Sequence, residues 1–331
     1  MSLSSLIHDR ENVREGFRAR LLRPQIHFEH PLRAPPLTTN YRIVGTAFDY
    51  LLRFHLQRIN PLAQTRSWVA ENGVSLIGVS QDGLDDDKPL ATEDHPQRQK
   101  AEAHLDDAKR QYQAYRSNGI ITDDLLFAAL RLAHLDVACR AGPDRVDWTA
   151  LDSPSPKDAL DLRALLALID ERTFTTTRIC ILNPSFGAAS MLVGGADADL
   201  VLDDALVDIK TTKEPRLDIR DFYQLIGYYL LQGLDGITSD KAETRTHEIK
   251  SVGIYFSRYC YLWKVAVDEV LPSQSAPELT KWFVEAVCPS KAQRFKLVHE
   301  FRGQFAKYLI DTNKRAKSKH KSRSVSKGRT R

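Results

Sequence analysis

The sequence predicts an α/β protein: a mixed sheet flanked by helices, preceded by a mainly helical N-terminal region. Three observations predict it. Apolar residues recur at helical spacing before residue 172, alternation replaces that period between Thr175 and Thr211, and a strongly apolar helix then precedes two further alternating segments. The resulting order from Thr175 onward is strand, strand, strand, helix, strand, strand, which suits a sheet covered by helices.

The 331 residues, 37.5 kDa, are enough for a large core, and 42% hydrophobic with 27% charged residues excludes a disordered or fibrous chain. No run approaches eighteen apolar residues, and the stretch from Met1 to Arg20 is charged where a signal peptide needs an apolar segment. A soluble, cytoplasmic protein with no membrane contact is the expectation. Cys139, Cys180, Cys260 and Cys288 are far apart and form no CxxC, which argues against a zinc ribbon or an iron–sulfur cluster. Reduced, mostly structural thiols fit that spacing.

Charge is unevenly placed. Lys314 to Arg331 holds nine Lys or Arg and no acid, so the net +4 of the whole chain leaves residues 1–313 at −5. The basic balance belongs to the tail, residues 312–331, whose composition predicts disorder. Lys314, Arg315, Lys317, Lys319, Lys321 and Arg323 are its candidate phosphate contacts, giving salt-sensitive attraction to a nucleic acid. A merely solubilising end is the alternative.

Within the N-terminal region, residues 1–172, Ile43 to Ile59 places Val44, Phe48, Leu51, Leu52, His55 and Ile59 at helical spacing, and Pro61 closes it. Val74 to Val79 reads as a short strand, and Gln81 to Pro96, with Asp85, Asp86 and Asp87, as a polar loop. Helices over Gln97 to Ser117 and Asp123 to Arg140 are separated by the Asn118-Gly119 stop. Ser153-Pro154-Ser155-Pro156 punctuates the chain before a helix over Asp158 to Glu171. Residues 173–311 then carry strands over Thr175 to Leu182, Leu192 to Leu202 and Ala205 to Thr211, and a helix over Asp218 to Gln232. A hairpin follows over Ser251 to Ser257 and Tyr261 to Val267, then helices over Ala276 to Val287 and Lys291 to Asp311.

The chemistry concentrates between Gly194 and Thr212. Strand alternation puts Asp208 and Lys210 on one face and Val207 and Ile209 on the other. If Asp203-Asp204 is a two-residue turn, Leu202 pairs with Ala205 and Asp199 stands opposite Asp208, with Asp197 opposite Lys210. Two carboxylates so close repel each other, and a hard divalent cation relieves that repulsion while keeping several waters. Such a cation acidifies water and stabilises charge on a phosphoryl oxygen, work that a neighbouring lysine assists. Read alone, the same residues also describe a solvent-facing hairpin with cross-strand pairs worth about 0.2–1 kcal/mol each.

Gln224 and Tyr228, four apart, share a face of the otherwise apolar helix that follows, so their polar tips need partners. Asp199, then Asp208-Ile209-Lys210-Thr211, then Gln224-Leu225-Ile226-Gly227-Tyr228 resembles the PD-(D/E)xK nuclease superfamily, in particular its RecB-like branch with a QxxxY motif. The resemblance covers Thr175 to Val267, less than a third of the chain. It implies a restriction-endonuclease-like sheet over 173–311. It further implies Asp199, Asp208 and the Ile209 carbonyl as ligands of Mg²⁺ or Mn²⁺, Lys210 assisting the attacking water, and Gln224 and Tyr228 bracing the site.

Asp197 is the alternative first-strand acid, since the family's G-x-x-D spacing read from Gly194 reaches it. Asp49, in Gly45-Thr46-Ala47-Phe48-Asp49, resembles the upstream helix ligand with Asp in place of His. Its structural reading is a first-turn acid paired with Arg53. His55 and His134 sit among apolar residues and read as packed. The implied activity is metal-dependent phosphodiester hydrolysis, of DNA with RNA as the alternative, in DNA processing, repair or anti-phage defence. No Walker loop is present. A catalytically silent nuclease-fold protein that binds nucleic acid or scaffolds a complex is the rival, and the helical N-terminal region is the candidate surface for a protein partner.

Overall fold

A computed structural model describes residues 2–26, 28–79, 95–214, 216–239, 244–271, 276–288, 290, 294, 296, 301–303 and 305–306. The chain opens with two short helices, α1 (Leu3–Asp9) and α2 (Glu11–Arg18), the first capped by the Ser2 hydroxyl. Helix α3 (Tyr41–Ile59) begins two residues before its expected start. The strand expected over Val74 to Val79 is instead the end of helix α4 (Val69–Leu76), whose Glu71 carboxylate accepts from the Trp68 N–H at 2.7 Å. A short apolar run cannot separate strand from buried helix, and here the cap decides. The real strand of this region is β1 (Gln64–Thr65).

Helix α5 (Pro96–Asn118) starts on a proline and ends where Gly119 takes a left-handed φ of 72°, the expected stop. Helices α6 (Asp123–Ala141), α7 (Trp148–Asp152), α8 (Pro156–Leu166) and α9 (Glu171–Phe174) follow. The Thr122, Asp147, Ser155 and Asp170 side chains cap them in turn. Helix α6 approaches α4 so closely that a Cβ at Gly73 would lie 2.3 Å from the Leu135 carbonyl oxygen.

Strands β2 (Cys180–Leu182), β3 (Leu200–Leu202) and β4 (Ala205–Lys210) lead to helix α10 (Ile219–Asp235). Both expected first strands are shorter than their alternation suggested: the N–H groups of Thr177 to Ile179 bond the Asp203 carboxylate before β2, and before β3 a 3₁₀ turn over Gly187–Val193 ends at Gly194. A minor ribbon, β5 (Ile237–Thr238) and β6 (Thr244–Arg245), precedes the expected hairpin of β7 (Ser251–Phe256) and β8 (Tyr261–Ala266). Helices α11 (Val267–Val270) and α12 (Ala276–Val287) complete the described elements. The expected loop over Gln81 to Pro96, most of the helix over Lys291 to Asp311 and the basic tail lie outside the described residues.

The six strands of the main sheet run β1-β2-β3-β4-β7-β8. Pairs β1–β2 and β4–β7 are parallel, and the other three are antiparallel. Alternating side chains send each strand into two cores. On one face Ile181, Val201, Leu206, Val252 and Ile254 pack with α1, α2, α10 and α12; on the other Leu182, Leu200, Val207 and Tyr255 pack with α3 to α8. The N-terminal region is therefore split between the two faces: α3 to α8 cover one, while α1 and α2 lie on the other against α10 and α12.

Candidate metal centre and active site

The β3–β4 turn has the expected register: Leu202 pairs with Ala205 and Leu200 with Val207. Asp203 takes a left-handed φ of 53° in that turn, and its carboxylate accepts the backbone N–H groups of Thr177, Arg178 and Ile179. Continuing the register past Leu200 brings Asp199 level with Asp208. There the Asp199 carboxylate reaches over the neighbouring backbone and accepts the Ile209 N–H at 2.6 Å. Val207 and Ile209 turn toward the α3–α8 core, so by alternation Asp208 and Lys210 face α10.

Lys210 is held between two acids. Its Nζ lies 3.0 Å from Asp208 Oδ2 and 3.1 Å from Asp221 Oδ1 on the first turn of α10. Asp208 is buried, and its Oδ2 has the ion pair but no aligned hydrogen bond. On the same helix the Gln224 amide donates to the Tyr228 hydroxyl at 2.6 Å, and the Tyr228 ring stacks on Phe186 at 5.3 Å. Asp221 was not singled out in the sequence, although it sits three residues before Gln224 and so on the same helix face.

The opposite helical layer reaches the same sheet end. Gly45 of α3 lies against Thr211, just past β4, and Asp49 and Arg53 follow it at successive helical turns. Because α3 begins at Tyr41, Asp49 is in the third turn, so the expected dipole favour of a first-turn acid does not apply. The expected Arg53 partner is present: Arg53 contacts Asp49 Oδ2, while Asp49 Oδ1 is buried without a hydrogen-bond partner. Behind them Asp136 of α6 is buried, with one oxygen on Arg140 and the other unpartnered. Nothing in the period of α6, which is apolar nearly all round, had marked Asp136.

Burial and mutual repulsion show in the acidities. The Asp199 carboxyl is pushed up to about 6 by burial, with the Asp49 charge adding to it. Asp208 is likewise pushed up to about 6 by burial, Lys210 offsetting part of the shift and Asp199 adding to it. Burial works against the Lys210 ammonium, but Asp208 and Asp221 outweigh it and hold the lysine charged. Burial also raises Asp49 and Asp136, and it raises Tyr228, which Asp208 reinforces.

Asp197 engages partners other than Asp199, Asp208 and Lys210, although its charge reaches Asp136. It is bridged to Ser185, and its half-exposed carboxylate pairs with Arg66 at 2.5 Å. His55 and His134 are buried as expected, His55 against the Tyr115 hydroxyl at 2.7 Å. The phosphate contacts proposed in the tail, Lys314 to Arg323, lie outside the described residues. A cleft of about 200 Å³ lined by Ser4, Ile7, His8, Asp218, Arg220, Asp221 and Gln224 opens beside Lys210's acid partner.

Among the described residues, no group of three or more His, Cys, Asp or Glu side chains forms a ready-made cage for a metal. Mg²⁺ does not require one: it takes one or two carboxylates and keeps several waters. Asp199 and buried Asp208, both of raised pKa and with only the Lys210 ammonium set against Asp208 Oδ2, fit that demand. Comparison with protein-family models, with curated proteins and with solved structures found no match. Among the described residues no helix is long and apolar enough to cross a membrane, and all four cysteines are free.

Proposed function

We propose that this protein is a metal-dependent nuclease of the PD-(D/E)xK type, with a restriction-endonuclease-like sheet, acting on the phosphodiester bonds of DNA. One observation carries the reading: Asp199, Asp208 and Lys210 meet at the end of β4, where buried Asp208 is repelled by Asp199 and held by the Lys210 ammonium. Asp199 and Asp208, with the Ile209 carbonyl, would hold Mg²⁺ or Mn²⁺. A bound divalent cation supplies Lewis acidity toward water and toward the phosphoryl oxygens.

The chain's own residues do the rest. Lys210, kept charged by its acid partners and 28% exposed, stands where it can neutralise charge gathering on the phosphorus oxygens. Gln224 and Tyr228 form a hydrogen-bonded brace behind it, anchored on Phe186. Asp49, paired with Arg53, lies near Asp199 on the α3 side. The basic tail would gather phosphate loosely, since residues 1–313 are net acidic.

The test uses wild type, Asp208→Ala and Lys210→Ala on linear and circular, single- and double-stranded DNA and on RNA, with Mg²⁺, Mn²⁺ or EDTA. Cleavage that needs metal and is lost in both variants supports the enzyme. Equal cleavage in all three overturns the assignment, and binding without cleavage favours a silent nucleic-acid-binding fold.

A further inference from the structure

Lys210 has more acid around it than a phosphate-facing cation requires. Its ammonium lies almost equally close to Asp208, at 3.0 Å, and to Asp221, at 3.1 Å. The two acids differ in setting. The Asp208 side chain is 9% exposed and sits on β4, whereas that of Asp221 is 29% exposed on the first turn of α10, where the helix N-terminus favours a carboxylate.

A divalent cation on Asp208 would face the ammonium across a single carboxylate. Like charges at that separation repel far above thermal energy even at a protein-like dielectric. The lysine must then yield, and Asp221 is the acid already in contact. Resting on the metal-site reading above, we propose that Lys210 is a tethered counter-cation for Asp208 in the metal-free protein, and that Asp221 is the positioning residue that receives it when a divalent cation binds. The exchange requires only a shift of the ammonium between two carboxylates it already touches. It keeps Lys210 charged beside the cation without competing for its ligand. The helix that bears Asp221 also bears Gln224, so the receiving position is fixed to the same brace.

Mn²⁺ binding to the full chain, followed by calorimetry and by the paramagnetic relaxation of water protons, tests this without reference to turnover. The proteins are wild type, Asp221→Asn, Lys210→Met and the double variant, with Asp208→Asn to establish the ligand. Asp221→Ser serves as a second uncharged replacement, Asp221→Glu as the charge-conserving rescue, and circular dichroism confirms folding in each.

The expected result is non-additive. Asp221→Asn weakens Mn²⁺ binding about tenfold when Lys210 is present, because the ammonium falls back onto Asp208, and by less than about twofold in the Lys210→Met background. Asp221→Glu restores most of the affinity. Equal weakening in both backgrounds would mean that Asp221 acts on the cation by its own charge, and would overturn the exchange while leaving the metal site intact. Wild-type protein that binds no Mn²⁺, or binds it equally well as Asp208→Asn, removes the metal-site reading and the exchange with it.

Discussion

Arg258 and Asp161 are both fully buried, and the guanidinium meets the carboxylate at 2.8 and 2.9 Å while also donating to the Ala34 carbonyl. At the end of β4 the charges are handled differently: Asp199 and Asp208 face each other, Asp208 Oδ2 has no aligned hydrogen bond, and Lys210 is shared between two acids. The first group ties α8 to the β7–β8 connection and leaves only the Arg258 Nε unpaired. The second leaves acids with pKa values near 6. A satisfied buried pair is scaffolding. An unsatisfied one stores electrostatic cost that a ligand can relieve, which is why perturbed acids mark functional sites.

Mutations at the two groups should therefore move stability in opposite directions. Arg258→Met strands the Asp161 carboxylate in the core and should destabilise the fold by about 3–5 kcal/mol, read from urea denaturation. Adding Asp161→Leu should return much of that loss. A single variant of unchanged stability would show that the pair is not the scaffold its geometry suggests.

Asp208→Asn should instead stabilise the metal-free protein. The open chain releases these protons near 3.8 and the folded chain near 6, so their contribution to stability is complete below about pH 4 and lost as pH rises through about 6. Asparagine abolishes the share of that loss due to residue 208. In EDTA at pH 8 the variant should exceed wild type by about 1–3 kcal/mol, and the gap should close toward pH 4. Saturating Mg²⁺ should cancel most or all of that lead: wild type gains about 2.7 kcal/mol at a hundred times Kd, and the variant gains little. Melting curves at two pH values, with and without Mg²⁺, measure both effects.

Tyr228→Phe is the smallest change. It removes the Gln224 hydrogen bond but keeps the ring on Phe186, so the cost should be about 0.5–1.5 kcal/mol. Cleavage should fall less than in Lys210→Ala; an equal loss would give Tyr228 a direct role.

What was legible in the sequence follows from the range of the forces involved. The Asp203-Asp204 turn and the strand period sufficed to place Asp199 across from Asp208 and to put Asp208 and Lys210 on one face, because both are short-range geometry. Helix α10 and the shared face of Gln224 and Tyr228 were legible for the same reason, and the structure adds that the two side chains bond each other. The expectation failed where local signals compete: Val74 to Val79 suits a buried strand by composition, yet Val74 to Leu76 end the capped helix α4, packed on α6, and Ile77 to Val79 leave it in a turn. Extended structure was also assigned too early before β3, where the 3₁₀ turn at Gly187–Val193 intervenes.

Partners chosen by tertiary structure were not legible. Asp136 reaches the site only because α6 packs on α3, and Asp221 matters only because α10 crosses β4 beside Lys210. Asp197 was the alternative to Asp199, reached by the G-x-x-D spacing from Gly194; Arg66, from a segment 131 residues earlier, is what engages it.

The most direct measurement is a crystal structure of the full chain soaked in Mn²⁺, read by anomalous diffraction. An anomalous peak about 2.0–2.6 Å from a carboxylate oxygen of Asp199 and another of Asp208 is the predicted result. No peak at the end of β4 under saturating Mn²⁺, or one held elsewhere with Asp208 still paired to Lys210, would contradict the account.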